Sequence, residues 1–257
     1  MKNNHIGQCC ICGKTCQLTK EHVPPHKAFN NFKSQGLTGD NFINALQNKK
    51  YKIKLNQSGS YDYTLCAECN NHTGKWYAED YVNFIRSVHP FCNDMPENAT
   101  FLTLEADNIR MGNVVKEIFA MFASSLQYNR VSDLGIDKYL LEKENFKIDT
   151  SKFKLYCYMN FDYMIEKTGV ISAFKTDGNV TTFASLKTYP LGFVLNLNPK
   201  VSDKAWEQML DLEDVIKAEN NLIDKIALNI PIINNYQPAF NTKKLIEDIR
   251  NKSTNSN

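Results

Sequence analysis

The chain has 257 residues, with 30 basic and 28 acidic side chains, eight cysteines and five histidines. Its length suits one large domain or two small ones, and its 42% hydrophobic content excludes a disordered or fibrous protein. The first 95 residues carry 11 basic and 7 acidic side chains, and the remainder carry 19 and 21. We therefore expect a mildly basic segment followed by a mildly acidic one.

The residues that bind metals most readily are concentrated in the first third of the chain. All five histidines precede residue 90, and seven of the eight cysteines precede residue 93. The N-terminus lacks a basic stretch followed by an apolar core, and no apolar run reaches the roughly 18 residues of a membrane span. We expect a cytoplasmic protein with no membrane partner, in which clustered cysteines bind metal rather than form disulfides.

Two cysteine pairs have the spacing of a zinc site. They are Cys9-x-x-Cys12 and Cys66-x-x-Cys69. A gap of two residues lets two thiolates reach one tetrahedral ion, and Gly13 permits a tight turn in which backbone N–H groups point at sulfur. The four cysteines predict a structural zinc, and unrelated free thiols are the alternative. The secondary candidates in this segment are Cys10 and Cys16.

Residues suited to phosphodiester hydrolysis follow each pair. The run EHVPP (residues 21–25) comes after the first pair, and Asn70-Asn71-His72 continues from the second at a predicted helix start. A carboxylate and an amide oxygen can hold a hard divalent ion, while a neutral histidine deprotonates a water for in-line attack on phosphate. The alternative is that His22 is an ordinary packed or capping histidine.

The next segments combine a basic run with helices. Residues 49–54 (KKYKIK) alternate charged with apolar side chains, which fits a strand with one basic face, either for phosphate contact or as solvated surface. Apolar residues recur at intervals of three and four from Lys75 to about Val88, which predicts a helix that Pro90 ends. Val114–Ala123 is apolar over most of its circumference and predicts a buried helix.

The polar stretch of residues 93–98 predicts a domain boundary, which divides the chain into 1–95 and 96–257. The second part contains several strand-like runs: Phe153–Phe161, Gly169–Phe174, Val180–Phe183, Pro190–Asn196 and Lys225–Ile233. Two helices are also predicted there: Ser202–Ala218, with Ser202 as N-cap, and Thr242–Arg250. The predicted fold class is α+β, and residues 96–257 indicate no chemistry.

The first part resembles the HNH endonucleases of the ββα-metal class. The similarity is to a zinc-bearing subgroup with the pattern CxxC, (D/E)HxxP and CxxC followed by Asn or His, and it covers residues 7–90. It implies a β-hairpin and a helix clamped together by a structural zinc on the four cysteines. It also implies that His22 is the general base and that Glu21 and Asn70 bind a catalytic Mg²⁺ or Mn²⁺.

Two features depart from the family pattern. Many members carry an asparagine shortly before the third cysteine, where its side chain braces the hairpin loop and orients the base. Asp62 is the nearest candidate for this brace here. At the last ligand position Asn70, Asn71 and His72 are crowded together, and a helix separates successive side chains by about 100°. We assign Asn70 to the catalytic metal, with His72 as the second choice.

These features predict a metal-dependent HNH endonuclease that cleaves nucleic acid, DNA before RNA, in a setting such as bacterial antiviral defence or restriction. The first alternative is a non-catalytic zinc module that binds nucleic acid or protein. The second keeps the nuclease and makes residues 96–257 a sensor, a site for a regulatory partner or a homo-oligomer interface.

Overall fold

A computed structural model describes residues 4–32, 34–36, 41, 44, 47, 49–52, 54–96, 98–163, 165–174 and 178–233. The strands are β1 (Ile6–Gln8), β2 (Thr15–His22), β3 (Ser34–Gly36), β4 (Lys54–Asn56), β5 (Tyr61–Cys66), β6 (Phe101–Ile109), β7 (Lys154–Met159), β8 (Glu166–Phe174), β9 (Val180–Lys187), β10 (Leu191–Asn196), β11 (Leu210–Asp211) and β12 (Ile223–Pro231). The helices are α1 (Ala67–Trp76), α2 (Ala78–Asn93), α3 (Met111–Ala123), α4 (Tyr128–Asp133), α5 (Ile136–Leu141) and α6 (Glu213–Lys217).

The predicted α+β class is confirmed, because helices and strands both occur along the chain. None of these described helices is both long enough and apolar enough to cross a membrane.

The N-terminal sheet is antiparallel, with the strand order β1-β2-β5. Helix α1 follows β5 directly, because the Cys66 sulfur accepts a hydrogen bond from the Cys69 N–H at 3.4 Å and caps the first turn. Strands β2 and β5 and helix α1 thus form one unit in which two antiparallel strands lead straight into a helix.

A five-stranded antiparallel sheet, with the order β11-β7-β10-β9-β8, forms the centre of the second part. Side chains alternate across a strand, and β7 shows this clearly. Leu155 and Cys157 belong to the main hydrophobic core, whereas Tyr156 and Tyr158 belong to a smaller core around Trp206. Both faces of the sheet are therefore covered at β7 and β10, which explains why these two strands consist almost entirely of buried residues.

Helix α3 lies in the main core, and all of its residues are buried. The prediction of a buried helix is confirmed, with a start at Met111 rather than Val114. Helix α2, before the predicted domain boundary, packs against α3 beyond it. One hydrophobic core is thus common to residues 1–95 and 96–257, and the division into two domains remains a prediction.

The predicted helix over Ser202–Ala218 is wrong. The segment forms a short 3₁₀ turn at Trp206–Gln208, then strand β11, then the short helix α6. The Asp203 side chain accepts a hydrogen bond from the Ala205 N–H, and the Asp211 side chain accepts one from the Glu213 N–H. Aspartate side chains that bond nearby N–H groups compete with helix formation, and burial of Trp206 in the smaller core holds the turn in position.

The helical prediction around Lys75–Val88 is right in type but not in extent. Two helices, α1 and α2, replace the single one, and they meet at Tyr77, whose φ of −125° is not helical. Helix α2 continues through Pro90 to Asn93, so Pro90 does not end it. The last turn is held from outside, because His89 Nδ1 lies 2.7 Å from the Tyr189 hydroxyl.

The basic run of residues 49–54 does not form the predicted strand. Residues 49–52 lie in no strand, and β4 begins only at Lys54. The Lys52 N–H donates to the Asn41 side chain at 2.8 Å, so a strand partner does not use it. The predicted helix Thr242–Arg250 lies outside the described residues.

Candidate functional site

The four predicted cysteines converge at the junction of β2, β5 and α1. The sulfurs of Cys9, Cys12, Cys66 and Cys69 all lie within 4.8 Å of one another. The sulfurs of Cys12 and Cys66 are 3.8 Å apart, and a tetrahedral ion with metal–sulfur bonds of about 2.3 Å separates its sulfurs by about 3.8 Å. Within the described residues this cluster is a group that could hold a metal ion.

Two thiols of the cluster interact directly with each other. A hydrogen bond from the Cys69 thiol, followed by backbone N–H groups, lowers the pKa of Cys9. The same bond to Cys9, together with burial, raises the pKa of Cys69. The Cys69 thiol is therefore the donor and the Cys9 sulfur the acceptor of one hydrogen bond within the cluster. A divalent cation would displace such protons, because metal ligands must be thiolates.

Gly13 shapes the turn after the first pair. It has a φ of +71°, and its N–H donates to the Cys9 carbonyl at 2.9 Å. A Cβ at this position would lie 2.6 Å from the ring of Tyr128 in α4, so only glycine fits. The turn brings the sulfurs of Cys9 and Cys12 into the cluster, while Cys10 and Cys16 stay outside it.

Glu21 on β2 points into the protein. Its side chain is almost fully buried, and its Oε2 accepts a hydrogen bond from the Ser124 hydroxyl at 2.5 Å and one from Thr64 at 3.3 Å. Burial is the main cause that raises the pKa of Glu21 to about 7, while the Ser124 hydrogen bond opposes the shift. The carboxylate is therefore held at the boundary between the two parts of the chain.

His22 follows Glu21 on the same strand and is only half-buried. Its Nε2 lies 3.1 Å from the carbonyl oxygen of Ser58. Since a carbonyl only accepts, Nε2 carries the proton, and Nδ1 is then the basic nitrogen of the neutral ring. Burial and the charge of Lys20 lower the pKa of His22, so the ring is neutral near pH 7.

Asn70 and His72 on α1 have different surroundings. The Asn70 amide donates to the Thr19 hydroxyl and to the Lys20 carbonyl, both at 3.0 Å. Within the described residues no hydrogen bond uses its Oδ1. His72 instead stacks on Trp76, with ring centroids 4.4 Å apart. The structure therefore brings Asn70, rather than His72, against the strand that carries Glu21 and His22.

Asn30 braces the loop between the strands. Its amide nitrogen donates to the carbonyls of Pro24 and Ser60, and its amide oxygen accepts from the Ser60 N–H. Gly59, with a φ of +83°, lets the chain pass so close that a Cβ there would lie 2.0 Å from the Asn30 carbonyl oxygen. Asp62, the candidate brace from the sequence, is instead ion-paired with Lys167.

Sequence reasoning missed two residues of this site. Asn30 lies between Phe29 and Asn31 in a loop, and its position five residues after EHVPP was the only available signal. Ser124 follows an apolar helix 103 residues after Glu21, and nothing in the local sequence connects the two. No family model, curated protein or solved structure matches this chain.

Proposed function

We propose that this protein is a metal-dependent endonuclease of the HNH type. One observation carries the proposal: four converging cysteines join the β2–β5 hairpin to α1, and so hold Asn70 against the strand of Glu21 and His22. A carboxylate and a histidine on one strand, with an amide on the helix that packs against that strand, are the kinds of group that metal-assisted phosphodiester hydrolysis uses. The chain's resemblance to HNH endonucleases supports the same conclusion.

The four cysteines would hold a structural zinc. Their number, their thiolate chemistry and the 3.8 Å spacing of Cys12 and Cys66 suit a closed tetrahedral site with no position for substrate. In this proposal the ion contributes to folding and performs no chemistry. It fixes the helix that carries Asn70.

A catalytic Mg²⁺ or Mn²⁺ would take oxygen donors from Glu21 and Asn70. The donor chemistry fits, because hard cations prefer carboxylate and amide oxygens, and Asn70 Oδ1 has no hydrogen bond within the described residues. When bound, such an ion supplies positive charge to a scissile phosphate.

His22 would act as the general base. The Ser58 carbonyl fixes its tautomer, and Nδ1 accepts the proton of the attacking water. The lowered pKa keeps the ring neutral and ready for this role at neutral pH. Asn30 supports it indirectly by fixing the turn that contains Ser58.

The substrate that we propose is a nucleic acid, and we propose DNA in preference to RNA. The first 95 residues have an excess of basic side chains, and Lys20 lies on the same strand as His22. Lys20 donates to Ser58 and lies 4.0 Å from the centre of the Tyr61 ring. A positive charge held beside the base suits a phosphodiester backbone.

A non-catalytic zinc module that binds nucleic acid or protein is the second candidate. The burial of Glu21 and its hydrogen bond to Ser124 favour it, because a carboxylate turned into the core can be purely structural. The two candidates differ in what happens when His22 is removed.

The test is the nicking of supercoiled plasmid by the full chain, with Mg²⁺ or Mn²⁺ added. We expect His22→Ala to lower the rate by at least about 100-fold, since a general base contributes 10²–10⁴-fold. His5→Ala removes the same ring from the same part of the chain and serves as the matched control. Zinc content and circular dichroism of each variant confirm that it is folded.

Equal nicking by the His22→Ala variant and the unchanged protein would refute the nuclease mechanism. Binding of plasmid without nicking, unaffected by the substitution, would favour the non-catalytic module. A parallel assay on an RNA transcript separates the two nucleic acids.

A further inference from the structure

Glu21 is held by two hydroxyl groups, of which one comes from its own hairpin and the other from the second part of the chain. Thr64 lies on β5, whereas Ser124 follows helix α3. Both hydroxyls donate to Oε2. Within the described residues no hydrogen bond is made to the other oxygen, Oε1. The carboxylate is therefore anchored on one side only.

The Ser124 hydroxyl is itself held in position. The residue caps the C-terminal end of α3, and its N–H donates to the Ala120 carbonyl at 3.2 Å. Its side chain is almost fully buried, and α3 lies in the main core along its whole length. A hydroxyl on such a rigid support orients a carboxylate at little further cost in side-chain entropy.

Ser125 shows that this contact is specific. Its hydroxyl is also buried, and it has no hydrogen-bond partner within the described residues. Two successive serines therefore have the same hydroxyl group in the same buried region, but only Ser124 contacts Glu21. This difference supplies a matched pair for experiment.

We propose that Ser124 is a positioning residue that orients the Glu21 carboxylate so that Oε1 is offered to the divalent ion. The inference rests on the proposed function. Its consequence is that residues 96–257 complete the candidate nuclease site, because one of the two anchors of the metal-binding carboxylate comes from them. Removal of a side chain that holds a metal ligand in this way typically weakens metal affinity by about 10–100-fold.

The test is a calorimetric titration, in which Mn²⁺ is added to the zinc-loaded full chain and its dissociation constant is measured. We expect Ser124→Ala to raise the Mn²⁺ dissociation constant by about 10-fold or more. Ser124→Thr keeps the hydroxyl and should restore most of the affinity, while Ser125→Ala should leave it unchanged. In the nicking assay, Ser124→Ala should need correspondingly more Mn²⁺ for half-maximal rate.

A purely structural role predicts a different result. Ser124→Ala would then lower the melting temperature and leave the Mn²⁺ dissociation constant unchanged, which would overturn the inference. Absence of Mn²⁺ binding by the unchanged chain would overturn it too. The His22→Ala variant separates the two proposals, because it should bind Mn²⁺ normally and fail to nick. Normal nicking by that variant would refute the proposed function even if Ser124→Ala weakened Mn²⁺ binding.

Discussion

Lys116 in helix α3 is fully buried, and backbone carbonyls and aromatic rings hold its ammonium group. Its Nζ donates to the carbonyls of Glu142 and Lys143 at 2.8 and 3.0 Å and lies 4.5 Å from the centre of the Phe146 ring. Glu142 caps the C-terminal end of α5, where the last carbonyls have no partner inside the helix. Lys116 thus caps one helix from another, and the local sequence gives no sign of this role.

The pH dependence of stability tests this burial. Burial lowers the pKa of Lys116 from its ordinary 10.5 to about 8. Between these values the unfolded chain binds more protons, so the contribution of Lys116 to the free energy of unfolding rises with pH and is lost as pH falls through 8. The free energy of unfolding of the unchanged protein, relative to that of Lys116→Met, should therefore rise by about 2 kcal/mol between pH 7 and pH 9.5.

Urea unfolding of both proteins at the two pH values measures this gain. Lys138 on α5 is exposed, and Lys138→Met is the matched control for the replacement of a lysine by methionine. A difference for Lys116→Met that is the same at pH 7 and pH 9.5 would show that the lysine has an ordinary pKa in the folded protein.

At the scale of elements, the sequence predicted best where one periodicity extends over a whole segment. The apolar stretch of α3 and the strands β7, β9 and β10 were found because their burial leaves a pattern of apolar residues in the sequence. The segment Ser202–Ala218 was missed because two aspartates and a buried tryptophan determine its path through contacts with its own backbone and the sheet. These contacts outweigh the tendency of that segment to form one continuous helix.

Phe119 provides the test at this scale. It is fully buried in α3, and its ring makes edge contacts with Tyr139 of α5 and with Phe153. Phe119→Ala should lower the free energy of unfolding by about 3–5 kcal/mol through lost burial and a cavity. Phe174, which is 85% exposed on β8, is the matched control, and Phe174→Ala should change stability by no more than about 0.5 kcal/mol. Urea unfolding of the two variants measures both changes. If both substitutions lowered the free energy of unfolding by similar amounts, the central position of α3 would be contradicted.

For the whole molecule, the main finding is one core across the predicted domain boundary. Helix α2 contributes Tyr81, Ile85 and Val88 to that core, and α3 packs against it from beyond residue 95. Glu21 and Ser124 connect the same two parts at the candidate site. The two parts of the chain therefore depend on each other for burial as well as for the proposed chemistry.

A fragment of residues 1–95 tests this dependence. Without α3, the apolar face of α2 is exposed to water, which removes several kcal/mol of burial from a small domain. We expect the zinc-loaded fragment to show no cooperative thermal transition, whereas the full chain unfolds cooperatively. Circular dichroism melting of the two chains makes the comparison. A sharp transition in the fragment would instead support an independent first domain.

The four cysteine ligands and the general α+β character follow from the sequence, because metal-ligand spacing and hydrophobic periodicity are local properties that each segment carries. Glu21, His22 and Asn70 were named through the resemblance of the first part to the HNH endonucleases. The partners of these residues could not be named from the sequence. That Glu21 is buried against Ser124, that Asn30 braces the loop and that both parts share one core depend on contacts between distant residues. Such contacts are established by packing of the complete chain, and a local pattern does not record them.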